Sequence, residues 1–132
     1  MTEESIAKAA DAGCVNICVG LESGSFEIRK NILGRVYENE QVVKVFNFAH
    51  KYKMRSSSFN MIGLPEETRK DIFKTIELNR RANPTSATLT FFHPYRGCEL
   101  RKLCIEKGYF DPNKKERHES LYRENSNLCL PQ

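Results

Sequence analysis

The sequence predicts a parallel α/β fold. Three short strand-like runs alternate with helix-like segments in the order βαβαβα, and the helical connections are long enough for parallel pairing. Two runs end in polar turns that contain glycine, residues 19–25 and 59–68. Parallel α/β proteins place their ligand sites at such strand ends. We therefore expect one sheet with its strands in sequence order and a ligand site at its carboxyl edge.

The first unit begins with a predicted alanine-rich helix over residues 5–11. Alternation of apolar and polar side chains then predicts a strand over residues 14–21. A helical segment follows to residue 33, and Ser25 is its candidate N-cap. A longer helix is predicted over residues 39–52, and its apolar stripe consists of Val42, Val45, Phe46 and Ala49.

The second and third units repeat this pattern. Residues 55–62 form the second predicted strand, and Thr68 with Asp71 resembles a capping box at the start of a helix that Asn83-Pro84 ends. Residues 86–92 form the third strand, and residues 98–107 form a last helix. The stripes expected to be buried on these two helices are Ile72, Phe73 and Ile76 on the first, and Leu100, Leu103 and Cys104 on the second.

The predicted strands alternate in polarity, whereas strands covered by helices on both faces are almost continuously apolar. One face is apolar and can pack against helices. The other face is expected to carry Asn16, Cys18, Glu22, Ser56, Ser58, Asn60, Thr88 and Thr90. Helices on one side and a polar concave side on the other indicate part of an α/β barrel with a hydrated interior. A merely solvated polar face is typical of antiparallel sheets, and the helical connections argue against it.

Composition narrows the class of protein. The chain has 132 residues, which suits one domain and is too few for a full eight-unit barrel of roughly 250. The net charge is +4, from 21 basic and 17 acidic residues mixed along the chain, and this disfavours a nucleic-acid binder. The one basic cluster, residues 114–118, indicates a solvated loop or, less favoured, a phosphate site. No apolar run is long enough to cross a bilayer, so we expect no membrane partner and a cytoplasmic location.

The five cysteines are predicted to be reduced thiols, because their number is odd and no small disulfide framework surrounds them. Cys14 and Cys18 lie four residues apart on a predicted strand. Their side chains would then be about 13 Å apart, too far to bind one iron–sulfur cubane. We expect Cys14, Cys18 and Cys104 to be small core or interior-lining residues, and no metal site on this chain.

Three motifs, in order and at successive strand ends, resemble one known family. They are Gly20-Leu21-Glu22-Ser23-Gly24-Ser25, Ser58-Phe59-Asn60-Met61-Ile62-Gly63-Leu64-Pro65 and Phe92-His93-Pro94-Tyr95-Arg96-Gly97-Cys98-Glu99-Leu100. Together they resemble the C-terminal half of a radical S-adenosylmethionine (SAM) enzyme core. The resemblance is strongest to the group with a cobalamin-binding domain, which includes proteins like the anaerobic magnesium-protoporphyrin monomethyl ester cyclase.

The resemblance implies a particular architecture and chemistry. The family forms a partial (β/α)6 TIM-like barrel, of which residues 1–108 would supply the fourth to sixth units and residues 109–132 an irregular tail. A [4Fe-4S] cluster, bound by a C-x3-C-x2-C motif, cleaves SAM to a 5′-deoxyadenosyl radical, and the cobalamin group adds that cofactor. The residues implied to contact SAM are Glu22, Ser23, Asn60, Met61, Ile62, Gly63 and Glu66.

These seven residues have different implied roles. Glu22 and Ser23 would contact the ribose or the carboxylate of SAM, residues 60–63 would lie along the adenine through their backbone, and Glu66 is the acid that ends the motif. From the residues alone, Glu22 is equally suited to an ion pair with a nearby arginine or lysine. His93 follows the third strand and could reach the mouth of the barrel, but an imidazole packed beside Pro94 is favoured.

One departure from the family affects function directly. Residue 21 is Leu21, so Cys14 and Cys18 are not followed by the third cysteine of the cluster motif. We therefore expect a fragment that is inactive alone and binds no cofactor by itself. Its partners would be the missing N-terminal half of the barrel, a small-molecule substrate and, through an exposed strand edge, other copies of itself. The alternative is a self-contained, non-enzymatic α/β module that binds a nucleotide or a protein.

Overall fold

The computed structural model describes residues 1–113, 126 and 128–130. Within them, three strands pair in parallel in the order β1-β2-β3. The strands are β1 (Asn16–Glu22), β2 (Arg55–Ile62) and β3 (Ser86–Phe91), and the helices are α1 (Glu3–Asp11), α2 (Phe26–Asn31), α3 (Asn39–Lys51), α4 (Arg69–Ala82) and α5 (Glu99–Glu106). The predicted α/β class and strand order are confirmed. The basic cluster at residues 114–118 lies outside the described residues.

The termini of α4 follow local sequence signals, whereas the predicted cap of α2 does not form. At the start of α4, the Asp71 N–H donates to Thr68 Oγ1 at 3.3 Å and the Thr68 N–H donates to Asp71 Oδ2 at 3.1 Å, so the predicted capping box is confirmed. The same helix ends at Asn83, whose φ of 49° is left-handed. The prediction for Ser25 is wrong in detail, because its side chain makes no capping hydrogen bond to α2.

Apolar side chains from the helices and strands form three buried clusters. The first joins α1, β1 and α3, and the second joins β1, α3 and α4. The predicted apolar stripe of α3 is buried in these two clusters. The third cluster lies beyond the strand ends and consists of Ile28, Leu64, Phe92, Cys104, Phe110 and Leu128. Within the described residues, no helix has the length and apolar character that crossing a membrane requires.

The polar face predicted for the sheet is only partly correct. Ser56 and Ser58 pair with Ile17 and Val19 of β1 and therefore lie on the helix-covered face. Asn60 is buried on that same face. The face without helices instead carries Cys18, Ser57, Phe59, Met61 and Thr88. Alternation within one strand identifies two faces but does not say which one meets the helices, and here a buried polar network replaces apolar packing.

The buried stripe predicted for α4 is also wrong. Phe73 and Ile76 are each 57% exposed, and the buried residues of this helix are Thr75, Leu78 and Ala82. On β3, Leu89 is 52% exposed, so part of the helix-side surface next to α4 is uncovered in the described part of the chain. Apolar character alone therefore did not identify the packed face of α4.

Candidate functional site

The two polar turns lie side by side at the carboxyl edge of the sheet. Glu22, at the end of β1, is the Cα partner of Asn60 on β2, and Ile62 is the partner of Phe91 on β3. The strands therefore end at nearly the same level. A β-bulge at Leu21 shifts the pairing by one residue just before Glu22. We call residues 20–25 the first turn and residues 62–68 the second turn.

Side chains from outside the first turn satisfy most of its backbone carbonyls. The Tyr37 hydroxyl lies 3.1 Å from the Gly20 carbonyl oxygen and 2.9 Å from that of Leu21, and it donates to both. The Asn39 amide donates to the Gly24 carbonyl at 3.3 Å. The backbone of this turn is therefore held by residues 15 to 17 positions further along the chain.

Arg29 completes this arrangement from the first helix after the turn. Its guanidinium is fully buried and donates to the Ser23 carbonyl, to the Tyr37 carbonyl at 2.9 Å and to Asn39 Oδ1 at 2.7 Å. It also stacks on the Tyr37 ring, with 4.7 Å between the guanidinium carbon and the ring centroid. Burial lowers the pKa of Arg29 from its usual value. Each of these oxygen partners is neutral, so the positive charge is held without a carboxylate among them.

Glu22 adopts a left-handed backbone conformation with a φ of 63°. Its carboxylate pairs with Arg35 at 3.0 Å, and the Glu22 side chain is 15% exposed. The same carboxylate lies over Gly20, where an added Cβ would approach Glu22 Oε1 to 2.6 Å. The ion pair anticipated as one alternative for Glu22 is therefore present. Its contact with SAM stays a prediction.

Ser23 and Gly24 are packed against α4. Ser23 is fully buried, and its hydroxyl accepts the Ser25 N–H at 3.2 Å and lies 3.5 Å from Thr75 Oγ1. The Gly24 N–H donates to Thr75 Oγ1 at 2.8 Å. A Cβ on Gly24 would come within 2.2 Å of the Lys74 carbonyl oxygen, so only glycine fits here. The Ser23 side chain therefore faces protein rather than the open edge.

The segment implied to lie along adenine leads into the second turn. The side chain of Asn60 is buried, and it exchanges hydrogen bonds with Asn79 and donates to the Thr88 carbonyl at 3.1 Å. Met61 and Ile62 are half-buried. Gly63 has a φ of 74°, which favours glycine. The Asn60 amide is thus committed to the helix side, and the backbone of the segment is what remains near the edge.

Two neighbouring glutamates in the second turn have different surroundings. Glu66 is exposed, has a φ of 63° and pairs with Lys107 at 3.2 Å. The Glu67 carboxylate instead turns inward and accepts the N–H groups of Gly63 at 2.6 Å and Leu64 at 3.3 Å. Glu67 was missed at the sequence level. Its signal was an acid four residues after a glycine, a spacing that lets the side chain reach back to the turn.

The acids near the second turn have opposite pKa shifts. Burial raises the pKa of Glu67, although the N–H groups of Leu64 and Gly63 partly oppose this. Burial would also raise the pKa of Asp71, but hydrogen bonds from Lys74, Thr68 and Ser25 outweigh it and hold the pKa well below the usual range. Asp71 therefore stays ionised at neutral pH and connects the start of α4 to the first turn.

The remaining candidates do not form a metal site. His93 is buried and meets the Tyr95 ring edge-on at 4.7 Å, consistent with a packed imidazole. Cys104 is buried as predicted, whereas Cys14 and Cys18 are exposed. In the part of the chain that the structure describes, no three His, Cys, Asp or Glu residues are grouped closely enough to hold a metal ion.

A parallel sheet with helical connections makes this chain an α/β protein, the class that commonly places its ligand sites at the carboxyl edge of the sheet. Within that class, this chain belongs to the radical SAM superfamily, whose family model matches residues 1–78. Membership implies SAM and a [4Fe-4S] cluster as cofactors of the full enzymes.

Two curated proteins are similar over most of the chain. It is 26% identical over 129 residues to cytidylyl-2-hydroxyethylphosphonate methyltransferase of Streptomyces wedmorensis. The aligned region covers 93% of this chain and 23% of that protein. The chain is 29% identical over 103 residues to an uncharacterized methyltransferase of Pyrococcus horikoshii, which covers 77% of this chain and 22% of that protein. The chain therefore spans less than a quarter of the length of these relatives.

Proposed function

We propose that this chain supplies the ribose and adenine side of the SAM site of a radical SAM enzyme of the methyltransferase type. The observation that carries the proposal is the register at the carboxyl edge, which brings Glu22 beside the segment 60–63. The methyltransferase names of both relatives support the reaction type. The order of the three motifs supports the group with a cobalamin-binding domain and cyclase-like members.

The proposed contacts differ among the seven residues. Glu22 keeps a partly exposed carboxylate that can accept hydrogen bonds from ribose hydroxyls. Met61, Ile62 and Gly63 would face adenine through their backbone. Ser23 and Asn60, whose side chains are buried, would act by shaping the backbone of their turns. Glu66 would act from the exposed rim of the second turn, beside Lys107.

We infer that the chain alone is inactive. When bound, the [4Fe-4S] cluster supplies the electron that cleaves SAM to a 5′-deoxyadenosyl radical, and the sequence contains no C-x3-C-x2-C motif to hold the cluster. Residues 1–108 would form the last three units of the barrel, and residues 109–132 would form its tail. The missing N-terminal half would pair with the edge of β1, and a small-molecule substrate would bind to the assembled barrel.

Anaerobic reconstitution tests the claim of inactivity. The purified chain is incubated with iron, sulfide and reductant, SAM is added, and 5′-deoxyadenosine is measured by chromatography. A radical SAM enzyme with an intact cysteine motif serves as the positive control. We expect no 5′-deoxyadenosine and no stoichiometric cluster from this chain. Formation of both would contradict the proposal.

A ligand titration tests the proposed contacts. The half site should bind too weakly to retain SAM through purification, yet millimolar adenosine should shift amide resonances of ¹⁵N-labelled protein. We expect the shifts to concentrate in residues 20–25 and 60–67. Glu22→Gln should weaken them, and Glu77→Gln, on the exposed face of α4, should not. Shifts confined to other regions would contradict the proposed contacts.

The unpaired edge of a parallel strand offers free backbone groups, which supports self-association of the chain. Sedimentation velocity over a range of concentrations measures this directly. We expect the weight-average sedimentation coefficient to rise with concentration. A single monomeric species at the highest concentration would remove self-association from the proposal and leave the SAM-site assignment unaffected.

A further inference from the structure

The first turn is built around a buried cation whose presence needs a physical reason. A guanidinium that is fully buried, and whose hydrogen bonds to the described residues all go to neutral oxygens, carries a desolvation penalty that folding must offset. In addition, the Nε atom of Arg29 is buried without a hydrogen-bond partner among the described residues. An apolar side chain of similar size would avoid both penalties. We therefore expect the guanidinium to have a role beyond filling space in the core.

The hydrogen bonds of Arg29 reach three separate segments. One goes to Ser23 in the first turn, one to Tyr37 in the linker between α2 and α3, and one to Asn39 at the start of α3. Tyr37 and Asn39 in turn donate to carbonyls of the first turn. The planar fork of the guanidinium can make these bonds simultaneously, which a lysine ammonium cannot match in geometry. Arg29 thus fixes the turn and the linker relative to each other.

The same linker carries the ion-pair partner of Glu22. The Arg35 N–H donates to the Arg29 carbonyl at 2.8 Å, and the Arg35 side chain pairs with Glu22 at 3.0 Å. Two residues later, Tyr37 stacks on the Arg29 guanidinium. Two features define the position of Glu22: its left-handed backbone and its ion pair with Arg35. Both are therefore connected to Arg29.

We propose that Arg29 is a positioning residue that holds the first turn and the linker so that the Glu22 carboxylate stays at the carboxyl edge before any ligand arrives. Arg29 itself is buried and touches no ligand. The identity of that ligand, the ribose of SAM, rests on the proposed function. Whether Arg29 holds the first turn in a fixed conformation does not depend on the proposed function, and it can be measured separately.

Hydrogen exchange of individual amides measures the order of the turn. The reporters are the N–H groups of Ser23, Gly24 and Ser25, which donate to Leu21, Thr75 and Ser23. The variant Tyr37→Phe removes one hydroxyl and keeps the ring against Arg29, so it should fold. Arg29→Lys keeps the charge and removes the fork. We expect protection of the three reporters to fall at least tenfold in both variants, while amides of β2 change by less than threefold.

Arg80→Lys is the matched control, because Arg80 is exposed and pairs with Glu77 on the far side of α4. It should leave the reporters unchanged. Adenosine titrations of the same proteins add a second readout, in which both test variants should bind at least fivefold more weakly than the wild type and Arg80→Lys should bind equally well.

The possible outcomes separate the two proposals. The inference is overturned if Arg29→Lys lowers protection equally in the turn and in β2 while Tyr37→Phe causes no selective loss in the turn. Arg29 would then be purely structural. Unchanged adenosine affinity in variants whose turn has lost protection would also overturn it, because Glu22 would not depend on the turn. If wild-type protein shows no adenosine-induced shifts, the proposed ligand is wrong, and selective loss of protection still supports Arg29 as the residue that orders the turn.

Discussion

The two turns at the carboxyl edge reach similar backbone conformations by different means. Each contains a glutamate with a φ of 63°, Glu22 in the first and Glu66 in the second. The first turn is held by Arg29, Tyr37 and Asn39, which approach from α2, the linker and α3. The second is held by Glu67, which belongs to the turn itself. One turn therefore depends on tertiary packing, and the other is stabilised mainly by its own sequence.

This difference determines how each turn should respond to substitution. The first turn also contacts α4 through Gly24 and Thr75, so substitutions there should disturb core packing and lower stability strongly. The second turn leads directly into α4, where Thr68 and Asp71 form a local cap, so its changes should remain modest. Four predictions test this contrast, beginning with the largest expected effect.

Gly24→Ala should be the most destabilising change. The new Cβ would lie 2.2 Å from the Lys74 carbonyl oxygen, which is helix backbone and cannot move without displacing α4. We expect the free energy of unfolding to fall by about 3 kcal/mol in urea titrations. Gly34→Ala is the control: Gly34 has a φ of 65°, and among the described residues its new Cβ would have no non-adjacent atom within 4 Å. It should cost only about 1 kcal/mol of backbone strain. Equal costs would refute the close-packing argument.

Thr75→Val should have the next largest effect. It keeps the shape of the side chain but leaves the buried Gly24 N–H without its acceptor, and an unsatisfied buried donor costs about 2 kcal/mol. Thr75→Ser retains the hydroxyl and removes one methyl group, so it should cost about 1 kcal/mol or less. Denaturant midpoints at constant m-value distinguish the two variants. If serine were as damaging as valine, the hydrogen bond would not be the cause.

The two acids near the second turn should give opposite pH dependences. Because the folded-state pKa of Glu67 is raised, the stability it contributes is complete below its usual pKa of 4.5 and is lost as pH rises through the folded value. The pKa of Asp71 is lowered, so its contribution is complete above its usual 3.8 and is lost as pH falls.

Glu67→Gln and Asp71→Asn measure these contributions without changing side-chain size. We expect effects of about 1 kcal/mol at most. Relative to wild type, Glu67→Gln should become more favourable as pH rises, and Asp71→Asn should become more favourable as pH falls. Urea titrations between pH 3 and 8 supply both curves. Parallel curves for the two variants would show that the carboxylates are not shifted in opposite directions.

Glu66→Gly should have the smallest effect and the opposite sign. Glycine adopts the left-handed conformation without the strain that glutamate bears. The interactions that are lost, an ion pair with Lys107 and a hydrogen bond from the Tyr109 hydroxyl, are exposed and weak. We expect a gain of about 0.5 kcal/mol, seen as a higher melting temperature. Lys107→Ala removes only the ion pair and serves as the control. A loss of stability in Glu66→Gly larger than in Lys107→Ala would mean that the Glu66 backbone is not strained.

Much of the fold could be predicted from local patterns. The strand Arg55–Ile62, the helix beginning after Thr68 and its end at Asn83 follow from alternation, a capping box and the proline at position 84. The packed face of α4 could not be predicted this way. An apolar stripe does not include Thr75, because threonine is polar. Thr75 is nevertheless buried, because its hydroxyl accepts the Gly24 N–H.

The site was only partly predictable for the same reason. The motifs located both turns and named Glu22 and Gly63 as ligand contacts, which stay predictions. They also included Ser23 and Asn60 as ligand contacts, although the side chains of both are hydrogen-bonded within the protein. Arg29 and Tyr37 lie outside the motif positions, and nothing in their local sequence indicates which carbonyls they meet. Glu67 also lies outside the motifs, and its only local signal is its spacing of four residues from Gly63.

The sequence by itself determined the α/β class, the parallel strand order and the positions of the two turns, because periodicity, capping residues and glycine conformations act over a few neighbouring residues. Only the tertiary structure decided which face of β2 is buried, which side of α4 packs and how Arg29 organises the first turn. These features depend on hydrogen bonds and close contacts between residues distant in the chain, and such contacts leave no local pattern to read.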